Sequence, residues 1–154
     1  MARVAILGSL ITYSIVVSQP LMYLVALTSA QRALSAPAYI ELRQHINAAM
    51  TKRLPIIYLS TLLAVGALLL VAWRIPSWYL FASTSVALLC LVVDLGFMLR
   101  ENVPINGVID QWTTTSYPDD WETYRARWFA VFRSRQVVLL IGFCSLLIGT
   151  VSPW

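Results

Sequence analysis

Four long apolar runs separated by two polar stretches set the plan of this 154-residue chain. The first, Val4 to Ser29, is interrupted by Ser, Thr, Gln19 and Pro20; Leu54 to Trp73, Trp78 to Leu99 and Gln136 to Val151 follow. A helix rises 1.5 Å per residue, so about 20 residues cross a hydrocarbon core of ~30 Å. The four runs are therefore predicted membrane spans. Pro20 removes one backbone hydrogen bond and is expected to bend the first span in its second half. Arg74-Ile75-Pro76-Ser77 reads as a tight turn between spans two and three, flanked by Trp73, Trp78 and Tyr79 as an aromatic belt. Trp154 reads as an anchor at the end of the chain.

The polar stretches, residues 30–53 and 100–135, carry helical signals of their own. Ser35-Ala36-Pro37 marks a helix start, because proline is tolerated in the first turn. Tyr39, Leu42, Ile46 and Met50 then recur at helical spacing, with Arg43, Gln44, Asn47 and Thr51 assigned to other faces. This predicts a short amphipathic helix at the interface, or an extension of span two beyond the lipid. In the second stretch Pro118-Asp119-Asp120 predicts an N-cap with acid in the first turn. No breaker appears from there to Pro153, so one long helix is expected from about Asp120 to Val151, its first third outside the lipid. Trp121, Arg125, Trp128, Phe132 and Arg135 fall on one face of it. The predicted fold is all-α: one integral membrane domain over residues 1–154, a four-helix up-down bundle with amphipathic or extended helices before spans two and four. Ala64 and Ala67, and the stripe Gly142, Ser145 and Gly149, are expected where helices pack closely.

Composition agrees with that plan: 59% hydrophobic and 12% charged residues, against roughly a quarter charged in soluble proteins. The net charge of +4 could suit nucleic acid. The basic residues border the spans, however, where they meet lipid headgroups and hold topology, so the expected partner is the bilayer and not nucleic acid. Nine of the eleven Lys and Arg residues lie in the two polar stretches, and only Arg3 and Arg74 lie on the other side. That imbalance predicts a multi-pass protein of the cell inner (cytoplasmic) membrane, with the long polar stretches cytoplasmic and both termini outside. The run after Arg3 is too long for a signal peptide and ends without a clear cleavage site. Cys90 and Cys144 sit inside apolar runs as small hydrophobes, and no CxxC, HExxH, GxGxxG or Walker pattern occurs. Neither a metal nor a cofactor is expected.

Candidate chemistry starts at Asp94, a carboxylate about five residues inside span three. Such a group is costly in lipid and marks either a site or an ion pair that locks the bundle. Counted inward from the polar stretches, it lies near the depth of Tyr23, Tyr58, Ser60 and Thr61, with Gln19 slightly deeper. Arg135, at the head of span four, is placed to reach it. A polar cluster is predicted there, with Arg135 and Tyr58 the first candidates as partners of Asp94. Asn102-Val-Pro-Ile-Asn106 begins where span three ends; Pro104 is expected to break regular pairing, and the asparagines either bond freed backbone groups or face a ligand. Trp128 and Arg125 on the fourth helix suit an aromatic small molecule through stacking and cation–π contact, and suit a membrane interface equally.

The Asn102-x-Pro104-x-Asn106 segment, followed by Trp121-x3-Arg125-x-Arg127-Trp128 and then Arg135, resembles the anthrone oxygenase-like family of small four-helix membrane proteins. The resemblance implies cofactor-free oxygenation, in which a phenolic anthrone loses a proton and the carbanion reacts with dioxygen to give a quinone. It also implies that Asn102, Asn106, Trp128 and Arg135 line the site. Many members carry histidine three residues before that final arginine; this chain has Phe132, leaving Asp94 or Asp110 as acids that could serve as base. Gln19, Tyr23, Tyr58 and Arg125 complete the expected substrate contacts. Two other readings stand beside the enzyme: an accessory subunit packing against helices of a larger membrane complex or against copies of itself, and a lipid- or quinone-binding protein without catalysis.

Overall fold

The structure, a computed structural model, describes residues 2–152, so the anchor expected at Trp154 lies outside the described residues. Eight helical segments form four columns. α1 (Ala2–Met22) continues through a π-helical turn, Tyr23–Leu27, into α2 (Thr28–Arg32). After a three-residue turn, α3 (Ala36–Trp73) runs back unbroken for 38 residues. α4 (Trp78–Phe97) passes through a second π turn, Met98–Asn102, into α5 (Val103–Ile109), and α6 (Trp121–Val151) closes the ring. Each column is long and apolar enough to cross a membrane. α1 packs on α3, α3 on α4, α4 on α6 and α6 on α1, which makes the predicted four-helix up-down bundle. The end bearing the turns at 33–35 and 110–120 is the polar end; the other holds the described termini.

Three expected boundaries move. Residues 30–53 are almost entirely helical, because the amphipathic segment and span two are one helix, the second of the two forms anticipated. Span three does not stop near Leu99 but continues to Ile109, straight through Pro104. Proline cannot donate to the carbonyl one turn back. Here the π turn has already shifted the ladder, with the Val103 N–H bonding Met98 O, and Pro104 enters as a first-turn residue of α5. The first column likewise runs on beyond Pro20 to Arg32, with its π turn three residues after the proline. α6 begins as read, at Trp121 with Asp120 as N-cap, but the Asp120 side chain makes no capping bond. The backbone closes that turn, Thr123 N–H donating to Asp120 O at 2.8 Å.

Toward the termini the helices touch through small residues. A Cβ on Gly149 would overlap the Ser83 hydroxyl and stand 2.5 Å from Ser83 Cβ. One on Gly142 would overlap the Tyr13 hydroxyl and stand 2.8 Å from Cys90 Cβ. Only hydrogen fits at either place, so α6 lies directly on α4 and α1. Hydroxyls bond to backbone across the seams: Ser9 Oγ to Ala64 O at 3.0 Å, Tyr13 Oη to Ala87 O at 3.2 Å, Ser145 Oγ to Ser83 O at 3.3 Å. Val65, Leu68, Ala87, Leu91 and Leu146 fill the space between them. Leu63, Leu70, Leu89 and Ile141 point outward, the arrangement expected where acyl chains replace water.

Candidate functional site

Asp94 is fully buried, 0% exposed, and its charge is met from two neighbouring helices. Arg135 Nε donates to Oδ1 at 2.8 Å and Arg135 Nη2 to Oδ2 at 3.4 Å, while the Tyr58 hydroxyl donates to Oδ2. Arg135 also donates to Asn102 Oδ1 at 3.0 Å and to Tyr58 Oη at 3.0 Å. Asn102 Nδ2 continues to the Trp128 carbonyl at 3.4 Å. A buried ion pair is tolerable when its remaining donors and acceptors are used in this way. The partners expected for Asp94, Arg135 and Tyr58, are the ones found. Ser60 and Thr61, counted at the same depth, do not join; their hydroxyls bond Ile57 O of their own helix.

Beside this cluster, α3 and the α4–α5 column part around a cavity of about 550 Å³. One wall is every third or fourth residue of α3 from Arg43 to Leu62, the other the matching stripe from Leu95 to Asp110. Trp128, Phe132 and Arg135 of α6 form the floor, with Gln19 and Tyr23 at one side. Trp128 stacks on Phe132, ring centroids 4.8 Å apart and planes 12° from parallel, and Tyr23 leans on Phe132 at 4.5 Å.

Arg43 reaches into this aromatic group from α3. Its guanidinium carbon lies 4.0 Å from the Trp128 ring centroid, and Nη2 donates to Asn106 Oδ1 at 2.7 Å. The same Asn106 oxygen accepts from Trp128 Nε1 at 3.0 Å. Asn106 Nδ2 donates to Asn47 Oδ1 at 3.2 Å, and Asn47 in turn donates to Asp110 at the cavity rim. Arg43 is 3% exposed and its Nε has no partner. Among the described residues the ion pairs within 4 Å are Arg125–Glu122, Arg127–Glu101 and Arg135–Asp94, so no carboxylate neutralises it.

Of the residues singled out in the sequence, Gln19, Tyr23, Tyr58, Asn102, Asn106, Trp128 and Arg135 line this one cavity. Asp94 stands behind it, covered by Arg135 and Tyr58. Arg125 lies elsewhere. It sits 4.3 Å over Trp121, donates to the carbonyls of Arg32 and Leu34 at 3.2 Å each, and pairs with Glu122. These contacts fasten the 33–35 turn onto α6, and Arg125 is not among the residues that line this cavity. Arg43 is the residue that the sequence reading passed over. It follows Tyr39 by four positions and precedes Ile46 by three, which puts it on their face of the helix, not another. The two π turns supply further wall: Tyr23 is the first residue of one and Asn102 the last of the other. Such turns recur at functional sites because the extra residue re-aims a side chain.

Among the described residues no three His, Cys, Asp or Glu side chains gather as a metal site. No protein-family model, curated protein or solved structure matches the chain.

Proposed function

We propose that this is a multi-pass protein of the cytoplasmic membrane whose cavity binds a planar phenolic or quinone-like molecule, with the polar end in the cytoplasm. The observation that carries the reading is the convergence of Asn102, Asn106, Trp128 and Arg135, from the π turn, α5 and α6, on one cavity floored by aromatic rings. Its volume of about 550 Å³ falls within the roughly 300–1,000 Å³ usual for small-molecule sites. The direct test is equilibrium dialysis of a hydroxyanthraquinone against the protein in phosphatidylcholine nanodiscs. Saturable binding, weakened about tenfold or more in Asn106→Ala, which corresponds to ~1.4 kcal/mol, is the expected result. No saturable binding by folded protein overturns the proposal. In a cysteine-free background, single cysteines at Ser35 and Ser116 should label from the cytoplasm and one at Ala2 from outside; the opposite pattern reverses the orientation.

A second reading, cofactor-free oxygenation of the anthrone type, is favoured by the uncompensated Arg43 beside Asn106. An anthrone that loses a methylene proton places the negative charge largely on its oxygen. A guanidinium and an amide already fixed in a partly desolvated site stabilise that anion. The carbanion carbon then adds dioxygen, and the peroxide eliminates water to leave the quinone carbonyl, so one dioxygen yields one quinone and one water. With Phe132 at the expected histidine position and Asp94 held by Arg135, Asp110 at the rim is the carboxylate placed to accept the first proton. Supplying a hydroxyanthrone and dioxygen tests this. Arg43→Gln should slow quinone formation by about 10²–10³-fold, the usual loss for one oxyanion donor. Absence of turnover by well-folded protein ends the catalytic reading and leaves the binding one standing.

A further inference from the structure

We infer that the cavity is built for an anionic amphiphile: an acidic oxygen head seated on Arg43 and a single apolar tail that enters sideways from the bilayer between α3 and α4. The inference rests on the binding proposed above and specifies the chemistry of what is bound.

The two buried arginines make the case for the head. Arg135 has a carboxylate, a phenol hydroxyl and an amide oxygen around its guanidinium. Arg43, equally buried, meets only neutral acceptors, Asn106 Oδ1 at 2.7 Å and Tyr23 Oη at 3.4 Å, and leaves Nε–H unbonded. An arginine cannot shed its proton to escape the cost of burial, so a counter-charge has to come from somewhere. Asp110 is the acid on the cavity rim, but it is exposed, holds Asn47, and stands two amides away from the guanidinium. A buried guanidinium that borders an open cavity, with only neutral acceptors and one N–H unbonded, is a seat for a carboxylate or phenolate.

The tail follows from the walls. Arg43, Asn47 and Asn106 mark one end; Leu54, Leu62 and Leu95 mark the other. From Arg43 to Leu62 the groove rises about 28 Å, at 1.5 Å for each of 19 residues. Leu59 and Leu99, which also border the cavity, are 58% and 56% exposed within the spans, so the groove opens toward lipid. Head toward the polar end and tail toward the membrane interior is the attitude an ionised amphiphile already holds in a bilayer. It can therefore slide in without turning over. Size suits a single tail: about 550 Å³ lies within the roughly 300–1,000 Å³ of small-molecule sites, and fused rings or one chain fit that space.

The test compares an alkylated salicylic acid with its methyl ester, identical in ring and tail, by equilibrium dialysis against the protein in phosphatidylcholine nanodiscs. The acid should bind saturably and at least about tenfold more tightly than the ester. Arg43→Gln should erase most of that preference, weakening the acid by far more than the ester, and Arg43→Lys should keep part of it; thermal melts of both variants establish that they fold. A diazirine at the end of the tail should label the peptides holding Leu59 and Leu62 or Leu95 and Leu99. Equal binding of acid and ester overturns the inference while leaving planar-ring binding intact. Binding of the acid but not of the hydroxyanthraquinone overturns the earlier proposal and keeps this one. Displacement of the acid by phosphatidylglycerol at equal mole fraction overturns the single-tailed ligand in favour of a membrane headgroup. Failure of the acid to bind overturns the inference outright.

Discussion

Toward the termini from Asp94, Gly149 and Gly142 bring α6 so near α4 and α1 that a single methyl group would collide with Ser83 or Tyr13. Toward the polar end, the facing stripes of α3 and α4–α5 stand apart around about 550 Å³ of space. The first region is held by shape, with hydroxyls bonded to backbone and no charged residue among its buried groups. The second is held by polar bonds from Arg43, Asn106, Asn102 and Arg135. Asp94 and Arg135 sit at the boundary. The contrast teaches that a small membrane bundle can keep an open site if the rest of its length is packed too tightly to yield.

Substitutions at the boundary should have the largest effect. Asp94→Leu leaves Arg135 as a buried, uncompensated cation and should cost about 3–5 kcal/mol, seen as a large fall in Tm in detergent. Adding Arg135→Leu should recover a substantial part of it. A double variant no better than the single one would break the view of the pair as one unit. Next comes the packed region: Gly149→Leu forces α6 from Ser83 and should cost about 1–3 kcal/mol or more, while leaving the cavity's preference for acid over ester unchanged. A changed preference would mean that the two regions are not independent. At the open region, Asn106→Ala deprives Arg43 Nη2 and Trp128 Nε1 of their shared acceptor. It should cost about 1–3 kcal/mol, with ligand affinity falling more than Tm. The smallest effect belongs to the exposed Arg127–Glu101 pair: Glu101→Gln should shift stability by less than about 1 kcal/mol, and less still in high salt.

The four spans were legible because apolar runs of 16 to 26 residues leave few alternatives, and α6 because nothing between Trp121 and Val151 breaks a helix. The Asp94 cluster was legible because a carboxylate at that depth needs a partner and few were within reach. Pro104 was misread for a local reason: a missing donor says break, but the backbone can widen by one residue and carry on. That error hid a second one. Without α5 there is nothing to cover Arg43, since Asn106 on α5 is its principal partner, and an uncovered arginine reads as an interfacial charge. Arg125 shows the opposite limit. Periodicity correctly put it on the face of Trp128, but periodicity gives direction and not what stands opposite at that height. There, the neighbour is the 33–35 turn.

The π turns also bear on how such a chain changes length over descent. A π turn holds one residue more than the α-helical turn it replaces, so it is the trace that a single-residue insertion leaves in a helix. Removing one residue from Met98–Asn102 would return the ladder to α-helical register, interrupted only at Pro104, which has no N–H to give, and keep both flanks, α4 and α5, facing as they do now. Only the wall contributed by Asn102 would be lost, and with it the amide that joins Arg135 to the Trp128 backbone. Relatives differing by one residue at this point, or at Tyr23–Leu27, should therefore share the bundle and differ in the cavity.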